Sequence, residues 1–203
     1  MKYLLSTVLC MVLVLSVIAQ ADDDFDRIKN RLAEAGCVRL EFVSIIESEI
    51  FDLVDSMRGT ACLASDGRYY VTLGPDNYLY DGRLLYSFSH ENNQVLIEEV
   101  GDTTDYGREI TFVTRLDEFY ETIFLPTRNR YRLFLRSGIT GDLPDSMTVV
   151  IDGDPLAIRR IEFYDINDEF NRIELLSRQL DSVCADDDFI PAFPDSAETV
   201  KLF

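Results

Sequence analysis

A single histidine, His90, serves the whole 203-residue chain. A serine triad or a histidine-rich zinc site would have to use it, and its setting, "SFSHENNQ", is that of a surface turn. Neither a Gly-x-Ser-x-Gly elbow nor a glycine-rich phosphate loop accompanies it. Cysteine is scarce too. The chain has Cys10, Cys37, Cys62 and Cys184 and no Cys-x-x-Cys pair, which leaves no ordinary zinc site. Basic residues are few, 19 against 37 acidic ones, for a net charge of −18. Such a surface repels nucleic-acid phosphates and anionic lipid headgroups. Nucleic acid is therefore not an expected partner, and tight residence on an anionic bilayer is disfavoured. The acidic runs Asp22–Asp24, Glu98-Glu99 and Asp186–Asp188 read as solvated faces, without the spaced ligands and glycine of a calcium loop. The chain carries no enzyme signature and calls for no cofactor.

The N-terminus places the protein in a compartment. Lys2 is followed by an apolar run from Tyr3 to Ile18, and Ala19-Gln20-Ala21 fits the small-x-small cleavage rule, so residues 1–21 read as a cleaved signal peptide. The run is shorter than the ~20 residues of a spanning helix. Cys10 lies inside it, too early for a lipid-modified cysteine. An exported soluble protein starting at Asp22 is expected, with residues 22–203 forming one domain. Cleavage leaves three cysteines in an oxidising setting, enough for one bridge and one leftover thiol.

From Phe25 the pattern is helical, with Phe25, Ile28, Leu32 and Ala35 on one face and Gly36 as the stop. The period then switches to two: in "CVRLEF", Val38, Leu40 and Phe42 point one way. Strands follow through "SMRGTACLAS", the turn "SDGR", "RYYVTLG" and a Gly74–Asn77 corner. Next comes "YLYDGRLLYSFSHENNQVLIEEV", where a hairpin turning at Asp81-Gly82 sets Leu79 against Leu84. That pairing gives a wholly apolar face with Tyr86 and Phe88, the other face holding Arg83, Ser87 and Ser89 with Tyr78, Tyr80 and Leu85. A second helical stripe runs from Gly107 to Leu125, through Phe112, Leu116, Phe119, Tyr120 and Ile123, and closes at Pro126. Strands are expected at 130–136, 147–152, 156–166 and 170–180. The tail is broken by Pro191 and Pro194 and can form at most an edge strand. The fold class is mainly β with helices, one long twisted antiparallel sheet with helical segments covering one face.

Several segments resemble the LolA family of periplasmic outer-membrane lipoprotein carriers. They are "VRLEF" (Val38–Phe42), the glycine opening the second strand (Gly59), the 78–100 block, "IRRIEFYDINDEFNRIEL", and the ending "FIPAFPDSAETV". The resemblance implies a half-open antiparallel β-barrel covered by a helical lid, whose concave face holds the acyl chains of lipoproteins. It implies a monomeric carrier in the periplasm. Such a carrier takes acylated lipoproteins from an inner-membrane lipoprotein-releasing ABC transporter and passes them to an outer-membrane receptor. A sensor of the same fold, or a carrier of another lipid, is the alternative. In the family an Arg-Pro-x-x-Phe-x-Trp block follows the second strand. Here Ser65, Asp66, Tyr69 and Val71 stand at those places, and the arginine's lid-latching role passes to no residue.

On this reading the acyl cavity is formed by Leu40, Phe42, Leu63, Leu79, Tyr86 and Phe88 on the sheet, facing Phe112, Leu116 and Phe119 on the insertion. Tyr70 joins that face if the "SDGR" turn is a tight two-residue hairpin; Tyr69 joins instead if a bulge shifts it. A first hairpin turning at Ser48–Phe51 would pair residues whose numbers sum to 99. Cys37 then sits opposite Cys62, which gives a Cys37–Cys62 disulfide with Cys184 free.

Overall fold

The computed structural model describes residues 24–48, 52–100, 111–125, 129–139, 143–153, 155–181 and 183–202. The leader, Gly107 and Pro126 lie outside them. Helix α1 spans residues 24–34 and buries Phe25, Ile28 and Leu32, the stripe its 3.6-residue period calls for. Twelve strands follow: β1 (Cys37–Ser48), β2 (Leu53–Ala64), β3 (Tyr69–Leu73), β4 (Asp76–Tyr80), β5 (Leu84–Ser89) and β6 (Gln94–Glu99) make a first meander. A 3-10 turn (Phe112–Thr114) and a one-turn helix α2 (Leu116–Phe119) precede β7 (Tyr120–Leu125), β8 (Arg130–Leu135), β9 (Ser146–Asp152), β10 (Ala157–Tyr164) and β11 (Phe170–Asp181). The tail holds a 3-10 turn (Asp186–Phe189) and β12 (Glu198–Lys201).

All these strands form one open sheet, in the order β12-β6-β5-β4-β3-β2-β1-β11-β10-β9-β8-β7. Every pairing is antiparallel except that of β12 with β6. β1 is the hinge line. It pairs along its length with β2 on one side and β11 on the other, and so joins the two meanders. The register with β11 shifts between Glu41 and Phe42, and that of β10 with β9 shifts between Ile158 and Arg160. Such irregularities bend and further twist a sheet. The concave face receives α1, whose Phe25 ring stacks on Tyr131 of β8 at 4.2 Å, and the 112–119 segment. The result is a half-open, curled sheet with helical cover, as the family resemblance implied.

The second helical stripe is corrected. Among the described residues of that stretch Thr111 and Leu116–Phe119 are α-helical, and Tyr120–Leu125 is β7, paired with β8 and leaving Ile123 exposed. "YETIFL" alternates as well as it spirals, and its aromatic and β-branched residues favour the strand once β8 is available.

The tail crosses the outer, convex face. It leaves β11, passes over β1 to β5 and adds β12 to the edge strand β6. Phe189 is buried there with Leu79, and Phe193 sits 6.0 Å from Tyr86 and 5.8 Å from Phe88, ring centre to ring centre. A Cys37–Cys184 disulfide, with Cα atoms 4.9 Å apart, pins the start of this strap to β1.

The expected Cys37–Cys62 bridge is therefore corrected. Ser48 pairs with Leu53, two residues beyond the expected register, so Cys37 faces Ala64 and Cys62 faces Arg39. Cys62 stays a buried free thiol, 3.8 Å from the Cys37 sulfur and 3.5 Å from that of Cys184. Burial pushes this thiol above its ordinary pKa despite the nearby Arg39 guanidinium, which keeps it protonated and unreactive.

Peptide mapping without reductant is expected to recover Cys37 and Cys184 in one cross-linked species, with Cys62 alkylated only after unfolding. Recovery of Cys62 in the bridge would contradict the strap. Replacing Cys37 and Cys184 by alanine is expected to lower unfolding stability by about 2–5 kcal/mol, measured by urea titration.

Candidate functional site

The concave face holds a cavity of about 500 Å³. That lies within the ~300–1,000 Å³ range of small-molecule sites. Its walls come from seven strands and the insertion. Leu40, Phe42 and Ser44 belong to β1, with Ala61 and Leu63 beside them on β2. Tyr69, Val71 and Leu73 of β3 come next, then Tyr78 of β4, and Leu85 and Ser87 of β5. Ile161 of β10 and Ile173 and Leu175 of β11 close the far side, and Phe112 and Val113 come from the insertion. None of these side chains is charged. A site of this kind offers apolar area and very few directional contacts.

Gly59 explains how Phe42 reaches the cavity. The two residues face each other across β1 and β2, and a Cβ built on Gly59 would lie 2.4 Å from Phe42 Cζ and 2.5 Å from the Thr72 carbonyl oxygen. The phenyl ring lies over the missing side chain, which only glycine allows.

Four of the ten sequence-predicted cavity residues, Leu40, Phe42, Leu63 and Phe112, line this space. Leu116 and Phe119 are buried in the main core behind the insertion, outside the cavity wall. Tyr70, Leu79, Tyr86 and Phe88 are placed elsewhere. They occupy the convex face, where Tyr70, Leu79 and Tyr86 pack in the cluster containing Phe189, and Phe88 meets Phe193. The turn decides this. β2 and β3 are joined through three residues, Ser65–Gly67, with Ala64 and Arg68 paired and Gly67 at φ +93°. The odd count reverses the facing of every residue beyond it relative to a two-residue turn. Tyr69 turns inward and Tyr70 outward.

The reversal is carried onward by the two-residue Gly74-Pro75 connection, so Val71 faces Tyr78 and Tyr78 faces Ser87 on the concave side. The next turn is centred on Gly82-Arg83, one residue later than expected, and pairs Leu79 with Tyr86. The Asp81 carboxylate accepts the N–H groups of Arg83 and Leu84. That one-residue move changes the partners without changing the faces. The wholly apolar face of this hairpin is thus the one under the tail, and the mixed face, with Tyr78, Leu85 and Ser87, lines the cavity. The signal that could have shown this is the aromatic pair Phe189 and Phe193, which needs a sheet face to bury it.

The insertion is held to α1 by one buried cation. Lys29 Nζ donates to Asp117 at 2.6 Å and forms an ion pair with Asp26 at 2.8 Å. Burial alone would pull this ammonium down, but the hydrogen bonds to Asp117 and Asp26 outweigh it and hold the pKa above its ordinary value. This tie fixes the segment that carries Phe112 and Val113.

No family model matches the chain, and no curated protein matches it. Solved structures do. An uncharacterised conserved protein from Thermus thermophilus shares 12% identity over 90% of this chain and 99% of its own, with a TM-score of 0.51, and so has the same fold. A protein from Nitrosomonas europaea aligns at 11% identity over 82% of this chain and 97% of its own, TM-score 0.46. LolA superfamily proteins are thus among the similar structures. A putative outer-membrane lipoprotein-sorting protein domain from Vibrio parahaemolyticus aligns at 9% identity over 83% and 97%, TM-score 0.42.

Gly59→Ala is expected to displace the Phe42 ring and cost about 1–3 kcal/mol, read as a lower midpoint of denaturation. The paired change Gly59→Ala with Phe42→Leu should recover part of that loss. Additive losses would show that ring and glycine do not share the space.

Proposed function

We propose that the protein is a periplasmic carrier that shields acyl chains of lipoproteins in its concave cavity while they cross water from the inner to the outer membrane. The observation that carries this reading is an uncharged, open-sided cavity of about 500 Å³ built from fourteen sheet and two insertion side chains. Each buried CH₂ contributes about 0.8 kcal/mol, so an acylated protein does not leave a bilayer unshielded. Apolar contact has no preferred direction, and the next acceptor need only present more apolar area to take the cargo. The acidic surface keeps the loaded carrier from settling on anionic membranes. In this role the protein performs no covalent chemistry. Its partners are an ATP-driven releasing transporter on one side and a receptor on the other. A carrier or sensor of free lipid would use the same cavity.

The test is release from membranes. Protein comprising residues 22–203 is incubated with energised inner-membrane vesicles holding labelled lipoprotein, and the supernatant is assayed for a soluble one-to-one complex. A complex is expected with wild type and is expected to be lost with Leu73→Asp or Leu85→Asp, which put a charge on the cavity wall. Tyr86→Ala, on the opposite face, should keep it. Bound free lipid without any lipoprotein complex would favour the free-lipid alternative, and neither would overturn both.

A further inference from the structure

Arginines in this acidic chain usually meet a carboxylate. Arg39 meets Asp188 at 2.7 Å, Arg83 meets Glu99 at 3.0 Å and Arg172 meets Glu47 at 2.9 Å. Arg31, Arg159 and Arg178 do not, and among the described residues neither do Arg58, Arg130 and Arg132. Among the described residues none of these has a carboxylate within salt-bridge distance, although the chain has 37 acids to draw on.

Arg31 and Arg178 share one cleft, and Arg159 stands on β10, the strand paired with β11. Arg178 stands on β11 opposite Leu40 of β1 and shares its concave facing. Arg31 comes down from α1, and Arg159 leaves β10 at the register shift, its guanidinium lying over Gly153. Arg31 and Arg178 line a cleft of about 20 Å³ that has Leu40, Val113 and Leu175 in common with the large cavity. Three apolar side chains are the common wall between the uncharged cavity and the cleft that Arg31 and Arg178 line. Of its five N–H donors, Arg178 uses one on the Leu156 carbonyl, at 3.3 Å. Its pKa lies below the ordinary arginine value, first through burial and then through repulsion from Arg31 and Arg159. Like charges gathered without counter-charge are costly, and an anion placed among them relieves the cost.

We propose that Arg31 and Arg178 seat the anionic head, phosphate or carboxylate, of an amphiphile whose acyl chain occupies the adjoining cavity. The inference rests on the acyl-chain reading of that cavity and adds the chemistry of the head. Arg31 is exposed, so the head stays at the water boundary while the chain is buried. The guanidinium fork suits both oxyanions.

The test uses residues 22–203 loaded with an apolar fluorescent probe, displaced by three twelve-carbon ligands at pH 8 and low salt: dodecyl phosphate, dodecanoate and neutral monododecanoyl glycerol. Charge-assisted contacts to the arginines should let the anionic ligands displace the probe at a concentration at least about tenfold lower than the neutral one. In Arg31→Gln with Arg178→Gln the advantage is expected to vanish while the probe and the neutral ligand bind as before, which also reports that the variant is folded. Preference for phosphate over dodecanoate assigns the head to a phospholipid, and equal binding assigns it to either oxyanion. Equal displacement by all three ligands in wild type, or an advantage that survives in the variant, overturns the arginine seat and leaves the cavity standing. Displacement by none of the three overturns the cavity reading itself.

Discussion

β1 pairs with β2 and β11 at once, and the rest of the molecule depends on that double ladder. Its partnership with β2 is local. The one with β11 closes a long loop, Cys37 facing Asp181 and Glu47 facing Phe170. Until that closure forms, the β2–β6 and β7–β10 meanders are two separate sheets, each with an edge and half a cavity. Long-range antiparallel pairing is slow to form, and the Cys37–Cys184 bond ties the same two regions covalently. The bond also starts the tail on its path over the convex face. A single strand thereby sets the curvature, the cavity wall and the anchoring of the strap.

Much of this was legible in the chain. α1 and the strands other than β7 follow from the change of period at Cys37 and from turn residues at regular intervals. What failed was parity. A strand's side chains alternate, so one residue more or less in a turn exchanges core and surface for the whole strand, whereas a shift of two merely changes partners. The Ser65–Gly67 turn is odd and moved Tyr70, Leu79, Tyr86 and Phe88 to the convex face. The first hairpin and the Gly82-Arg83 turn were each two off in pairing sum and cost only the identity of opposing residues, Cys62 among them. The inference that an apolar hairpin face lines the cavity assumed one buried face. Both faces are buried here, because Phe189 and Phe193 cover the outer one.

The chemistry of the concave face divides in two. The cavity is uncharged, and a carboxylate or phosphate drawn into it would lose its water without gaining a partner, at a cost of several kcal/mol. The unpaired guanidiniums stand just beyond its wall. Apolar area without direction holds a chain loosely enough to let it go, and a charged fork at one end adds orientation. The two together distinguish one end of a ligand from the other, which neither does alone.

Why the cavity is not simply filled follows from dimensions. Twelve strands at ~4.8 Å spacing span roughly 50 Å between edges, and a helix with its side chains covers a width of about 10 Å. Two helical segments among the described residues, α1 and the 112–119 insertion, therefore cover less than half of the concave face. Curling brings the two meanders toward each other but cannot close them, since β7 and β12 remain at opposite edges. Side chains from the sheet reach inward only a few ångströms, and Ala61 leaves room on the cavity wall where a larger residue would have filled it. Among the described residues, sheet width and short helical cover leave this space open.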